Sequence, residues 1–311
     1  MATGAAAESE SSGNASEATV SNSNEPTNGH LDPLTSSRLD RGVGFTMTGD
    51  PSKPDARDRI VVAHDLKSKQ CRLRLEVEGA SVLDGAWSID EPDTPRRLQW
   101  EAWRSQPEAD YAEWSFGAGE AELTRFLFRL RGRRLALLVQ IERGHKPSSA
   151  MDLSLAERVR VRAHRRARGL VLRGPSGPPV HAWPLALPTS NYESERGSIR
   201  GEEGRLVLTQ ATGGHSPAVL PLLLSWHPKR DGLNPHWRVL TVSEGRKACP
   251  PGVAFAARVG WRGEPFGFVI YRSLAEPATR CFLGYQTKAQ TLIGLFTPDG
   301  DVQPILAIGD E

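Results

Sequence analysis

The sequence is poor in sulfur and tyrosine, with 3 cysteines, 3 methionines and 4 tyrosines in 311 residues. Cys71, Cys249 and Cys281 are odd in number and far apart, and they form no CxxC pair. That argues against a disulfide framework and predicts reduced, mostly buried thiols. No run of 18 apolar residues occurs, so no membrane-spanning helix is expected. No basic segment leads into an apolar stretch at the N-terminus, which makes cytoplasmic the expected location. There is no Walker loop, GxSxG elbow or HExxH pair, and no repeat of 20 to 50 residues is visible. Gly42-Val43-Gly44 lacks the third glycine, the preceding strand and the following helix of a dinucleotide site. No cofactor and no metal are expected.

Excess charge is also missing, at a net +2. Its distribution is uneven. Residues 1–57 hold eight acids and four bases, a charge of −4, so the remainder carries +6. This is short of the basic footprint of a nucleic-acid binder. Ser, Asn, Glu, Gly, Ala and Thr dominate residues 1–57. Such a segment has too little large apolar surface to offset its ordering entropy, and a disordered tail is expected there. Residues 58–311 are expected to form a single domain.

From residue 58 the dominant pattern has period two. Cys71, Leu73, Leu75 and Val77 alternate with Arg72, Arg74, Glu76 and Glu78, the signature of a strand with one wet face. Leu98, Trp100 and Ala102 repeat it against Gln99 and Glu101. Phe126, Phe128 and Leu130 do so against Arg125 and Arg129. A turn at Arg131-Gly132-Arg133 leads into the apolar run Leu135 to Ile141, and the two make a hairpin. Further strands are expected at 170–172, 180–187, 205–210, 218–226 and 237–242. Val253 to Trp261 and Phe266 to Ser273 form a second hairpin. Leu292 to Phe296 and Val302 to Ile308 form a third, across Thr297-Pro298-Asp299-Gly300. The segment Asp152 to Gly169 reads either as a capped helix or as a strand, and the Val159, Val161 alternation favours the strand. With 23 prolines interrupting long helices, the expected fold is all-β, an antiparallel β-sandwich of the supersandwich kind with two layers on one core.

Three segments carry candidate chemistry. Arg158, Arg160, Arg162, His164, Arg165, Arg166 and Arg168 form either a cationic stripe for phosphate, sulfate or uronate groups or a solvated strand face. No aromatics interleave it, so nucleic acid is not favoured. The connection from Trp226 to Trp237 reads as a loop. Trp226 and Trp237 could present flat faces to sugar rings, with His227, Arg230, Asp231, Asn234 and His236 beside them, or both indoles could close the core. His227, Asp231 and His236 match no standard zinc spacing. Asn191, Tyr192, Glu193, Ser194, Glu195 and Arg196, with His181 upstream, have the residue types that a polysaccharide lyase uses: a tyrosine as base and acid, and Arg or His to neutralise a uronate. A plain loop has the same composition.

The stretch from Glu122 to Glu142, with its Arg131-Gly132-Arg133-Arg134 turn, resembles hairpins of the β-sandwich domain that follows the helical toroid in heparinase II/III-like proteins. Val269 to Leu274 and Leu283-Gly284-Tyr285 resemble the C-terminal part of large bacterial proteins of that kind. The resemblance spans roughly residues 60 to 310 and implies the sandwich. In that family the lyase centre lies mainly on the toroid, for which this chain has no helical pattern, so no catalytic residue carries over to a numbered position. The combined expectation is a non-catalytic β-sandwich binding an anionic carbohydrate or a protein partner. Two alternatives stay open: a carbohydrate-active enzyme, lyase- or epimerase-like, on an open face of the sandwich, and a structural scaffold whose sheet edges are covered by another chain.

Overall fold

The computed structural model describes residues 38–39, 42–49, 53, 55–65, 70–88, 98–117, 122–144, 148–165, 167–189, 196–211 and 217–309. Its regular elements are antiparallel strands and one 3-10 turn, Pro228–Arg230. The strands form four sheets. The first has eight strands and is built mainly from residues 38–88, completed by Ser148–Leu155, Arg205–Ala211 and Gly197–Glu202. The second, also of eight, runs Arg160–Ala163, Leu170–Arg173, Val180–Pro184, Ala218–Ser225, Leu135–Glu142, Leu123–Leu130, Ala109–Phe116, Leu98–Ser105. The third has five strands, Pro235–Val239, Ala254–Trp261, Gly267–Ser273, Thr291–Phe296 and Val302–Ile308, and a fourth of four short strands caps it.

The expected hairpins at Leu123–Leu130 with Leu135–Glu142, Ala254–Trp261 with Gly267–Ser273, and Thr291–Phe296 with Val302–Ile308 are all present. In the last, Gly300 takes φ +96 and its N–H closes the turn onto the Thr297 carbonyl. Residues 152–165 are strand and turn, with no helix.

The layering departs from the two-layer expectation. Leu73, Leu75, Met151 and Leu208 of the first sheet share a core with Trp114, Leu127, Leu138 and Leu222 of the second. The opposite face of that second sheet, with Tyr111, Phe126, Phe128, Leu137 and Leu223, packs on Trp237, Val259, Ile270 and Ile293 of the third. A third cluster joins the outer face of the third sheet to Phe282 of the fourth. The second sheet is therefore a middle layer. Every described residue of Ala109–Phe116, Leu123–Leu130 and Ala218–Ser225 is buried.

This layering corrects the reading of Arg125 and Arg129 as a wet face. Both point between the first two sheets. Arg129 is fully buried, donating to the Met47 and Asp58 carbonyls at 2.7 and 3.1 Å and to Asp55 Oδ2 at 3.2 Å. Arg125 donates to Gln140 Oε1 at 3.2 Å and stacks over Trp87 at 4.8 Å. Between the second and third sheets, Arg272 makes a bidentate pair with Glu113 at 2.5 and 3.0 Å, and Tyr111 donates to the same carboxylate at 2.6 Å. Buried guanidiniums are tolerated where fixed acceptors meet them, and only Arg272 of the three meets a carboxylate as a bidentate fork.

Two further corrections concern boundaries and register. Gly42–Thr48 is a strand pairing with Arg59–Asp65, and Phe45 and Met47 lie in the core, so sheet structure begins upstream of residue 58. Residues 1–37 lie outside the described residues. A bulge between Trp100 and Ala102 then flips the strand, turning Trp103 rather than Ala102 toward the first core and leaving Trp100 37% exposed. Among the described residues all three cysteines are free thiols, and no helix is long and apolar enough to cross a membrane.

Candidate functional site

Arg160–Ala163 is an edge strand, paired only with Leu170–Arg173 among the described residues. Alternation sends Val159 and Val161 against the first core, and Arg160 and Arg162 to the other face. Register then sets what lies beside them. Arg160 stands opposite Arg173 and Arg162 opposite Val171, while Val171 stands opposite His181 on the next strand. Five strands of the third sheet cannot cover eight strands of the second. The third sheet's edge strand, Pro235–Val239, places Trp237 on Trp183 at 5.9 Å. Beyond that contact Arg160, Arg162, Val171 and Arg173 take no part in the shared core. Among the described residues they form an uncovered ledge.

The wall of the ledge is aromatic and ionisable. His181 is 3% exposed and stacks on Trp183 at 5.7 Å with an interplanar angle of 6°. His164 meets the edge of Trp183 at 4.8 Å. Asp231, just past the 3-10 turn, leans in from the loop above. Its Oδ1 lies 3.3 Å from His181 Nε2 and its Oδ2 4.0 Å from Arg173 Nη2. Burial holds both imidazoles below their ordinary pKa, only partly opposed at His181 by the Asp231 carboxylate. They are therefore neutral near pH 7. His181 Nδ1 and Nε2 and Trp183 Nε1 are buried without a well-aligned hydrogen bond among the described residues. Buried polar atoms left without such a bond cost about 1–3 kcal/mol each.

Arg160 and Arg162 are exposed and have no acidic partner among the described residues. Together with Arg173 they present three guanidinium groups on one face of the sheet. Two of them, Arg160 and Arg173, are directly opposite, an arrangement that repels until an anion sits between. Arg forks match sulfate and carboxylate oxygens in pairs.

The other sequence candidates fall elsewhere. Trp226 belongs to the first core and donates its indole N–H to Asp58 Oδ2 at 2.7 Å. Trp237 donates to the Leu187 carbonyl at 2.7 Å. Arg230 is 3% exposed, locked on Glu264 at 2.6 and 2.8 Å and stacked 4.0 Å over Trp261. These three are corrections: their polar groups are engaged inside the fold and their faces are covered. His227 caps the 3-10 turn by accepting from Lys229 N, and burial lowers its pKa. Arg158 occupies an exposed left-handed turn position, 3.8 Å from Glu157. His236 points to the outer face of the third sheet, away from Trp237. Arg166 and the stretch from Asn191 to Glu195, with Tyr192, lie outside the described residues. No three His, Cys, Asp or Glu side chains among the described residues are placed to hold a metal. Arg173 and Trp183 escaped the sequence reading, because only cross-strand register brings them to the Arg160 and Arg162 row.

No family model and no curated protein matches the chain. Among solved structures, the fold is similar to that of the heparan sulfate lyase HepC from Pedobacter heparinus. The TM-score is 0.53 at 10% identity, over 80% of this chain and 44% of that one. The likeness establishes a shared β architecture, as the sequence resemblance implies. The chain spans less than half the length of that lyase.

Proposed function

We propose that this β-sandwich is a non-catalytic module that binds an anionic carbohydrate on the ledge of Arg160, Arg162 and Arg173, with Asp231 at its rim. The observation that carries the proposal is the pair of exposed guanidiniums without an acidic partner among the described residues, beside a third one across the strand pair. The overlay on a heparan sulfate lyase supports the same ligand class. Charged residues on an edge strand also discourage edge-to-edge pairing, and charge reversal separates the two roles. Arg160→Glu with Arg162→Glu keeps the edge charged but repels an anion. A panel of sulfated, uronate and neutral oligosaccharides titrated into the full chain should show binding of the acidic members, weakening as salt rises. Each Arg→Gln change should lower affinity about tenfold or more, the loss of one charge-assisted hydrogen bond of about 1.5–3 kcal/mol. Equal responses to acidic and neutral sugars would remove this reading.

One observation favours a second reading, a lyase- or epimerase-like enzyme on the same ledge. His181, held neutral by burial and 3.3 Å from the Asp231 carboxylate, stands beside Arg173; once Asp231 moves aside to expose the imidazole, it can accept a proton while Arg173 neutralises a uronate. Absorbance from unsaturated uronate products, lost in His181→Ala, would establish it. Its absence with every acidic polysaccharide tried would leave the binding module.

A further inference from the structure

The outer face of the third sheet holds a second cationic cluster, separate from the ledge. In the edge pair Pro235–Val239 with Ala254–Trp261, Arg238 stands directly opposite Arg258, and His236 opposite Gly260. The glycine is what lets the imidazole lie down: a Cβ on Gly260 would come 3.1 Å from His236 Nε2. Arg258 is held from the other side, its guanidinium 5.2 Å over the ring of Phe296. Phe296 itself packs against the core under the fourth sheet, so this platform is anchored. Arg238 is exposed and Arg258 half-buried, and neither has an acidic partner among the described residues. Of the acids on neighbouring segments, Glu264 is engaged on Arg230 and Glu244 on Arg280.

Directly opposed like charges destabilise an antiparallel pair. Here one of the two is oriented by an aromatic face, which costs conformational freedom without relieving the repulsion. Two forks approaching from adjacent strands offer more donors than a single carboxylate can accept, and they suit an anion with three or four oxygens. We infer that Arg238, Arg258 and His236 form a binding site for a tetrahedral oxyanion, a sulfate or phosphate group carried by a larger ligand.

The physics gives the test an unusual sign. In dilute chloride buffer, Arg238→Gln should raise the melting temperature of the full chain, because repulsion is relieved. Inorganic sulfate and inorganic phosphate at matched ionic strength should stabilise the parent protein more than the Arg238→Gln/Arg258→Gln variant. A preference for one anion over the other identifies the source. Running the same comparison in the Arg160→Glu/Arg162→Glu background isolates this site from the ledge, and the oxyanion stabilisation dependent on Arg238 and Arg258 should persist there. Equal stabilisation of parent and Arg238→Gln/Arg258→Gln proteins would overturn the inference. So would a stabilisation that disappears only with the ledge substitutions. Neither result would touch the ledge reading, whose own variants report on it separately.

Discussion

Arg129→Met is the sharpest perturbation of the layered core. Arg129 is fully buried and ties the segment around Asp55 and Asp58 to the middle sheet. Methionine fills most of the same volume but removes the charge and the donors. Asp55 would be left fully buried, with the Gly132 N–H as the remaining donor to its Oδ2 among the described residues. Breaking a buried pair from one side costs about 3–5 kcal/mol, because an uncompensated charge stays inside. The exposed pair Arg74–Asp84, with both side chains 40–50% accessible, is the internal control. Removing it should cost at most about 1 kcal/mol. Urea unfolding followed by tryptophan fluorescence reads both, and the double variant Arg129→Met/Asp55→Asn should recover a large part of the loss. Were Arg129→Met to cost no more than Arg74→Met, or the double variant to show simple additivity, Arg129 would not be buried between the first two sheets.

Two other outcomes follow from the same structure. Trp226→Phe should cost about 1–3 kcal/mol, because Asp58 Oδ2 loses its 2.7 Å indole donor, while affinity for acidic oligosaccharides stays unchanged; reduced affinity at unchanged stability would restore Trp226 as a ligand-facing residue. Acid should destabilise the fold as pH falls below about 6.5, because burial depresses the pKa of His64, His164, His181 and His227 from 6.5 and the unfolded chain then binds more protons than the native one. Asp58 acts with the opposite sign and in another window. Its carboxyl is pushed above 3.8 by burial, so its contribution is fully present below 3.8 and is lost as pH rises through its native value. Urea midpoints that stay flat from pH 7 to 5 would contradict the histidine assignment.

The strands and hairpins were legible because period-two alternation is a local signal. The first sheet behaves as that signal says, with Leu73 and Leu75 inside and Arg72 and Arg74 in water. The middle layer was not legible. Arg125 and Arg129 alternate with Phe126 and Phe128 just as a wet face would, yet their acceptors come from Asp55, Asp58, Met47 and Gln140. Only long-range pairing supplies them. The Trp226 to Trp237 loop left two alternatives open for a related reason: an indole looks the same in sequence whether it meets a sugar or a core, and both meet the core. Half of the ledge was legible as an arginine-rich strand. Arg173, His181, Trp183 and Asp231 reach it through register and through a third sheet that stops short, neither of which leaves a mark in composition.

The most direct measurement of the central claim is a calorimetric titration of a non-sulfated uronate oligosaccharide into the parent chain and into Arg160→Glu/Arg162→Glu/Arg173→Glu, at two salt concentrations. Exothermic binding that weakens with salt in the parent and vanishes in the variant, with unchanged unfolding midpoints, is the predicted result. Undiminished binding in the triple variant, or no binding to the parent at the lower salt, would contradict it.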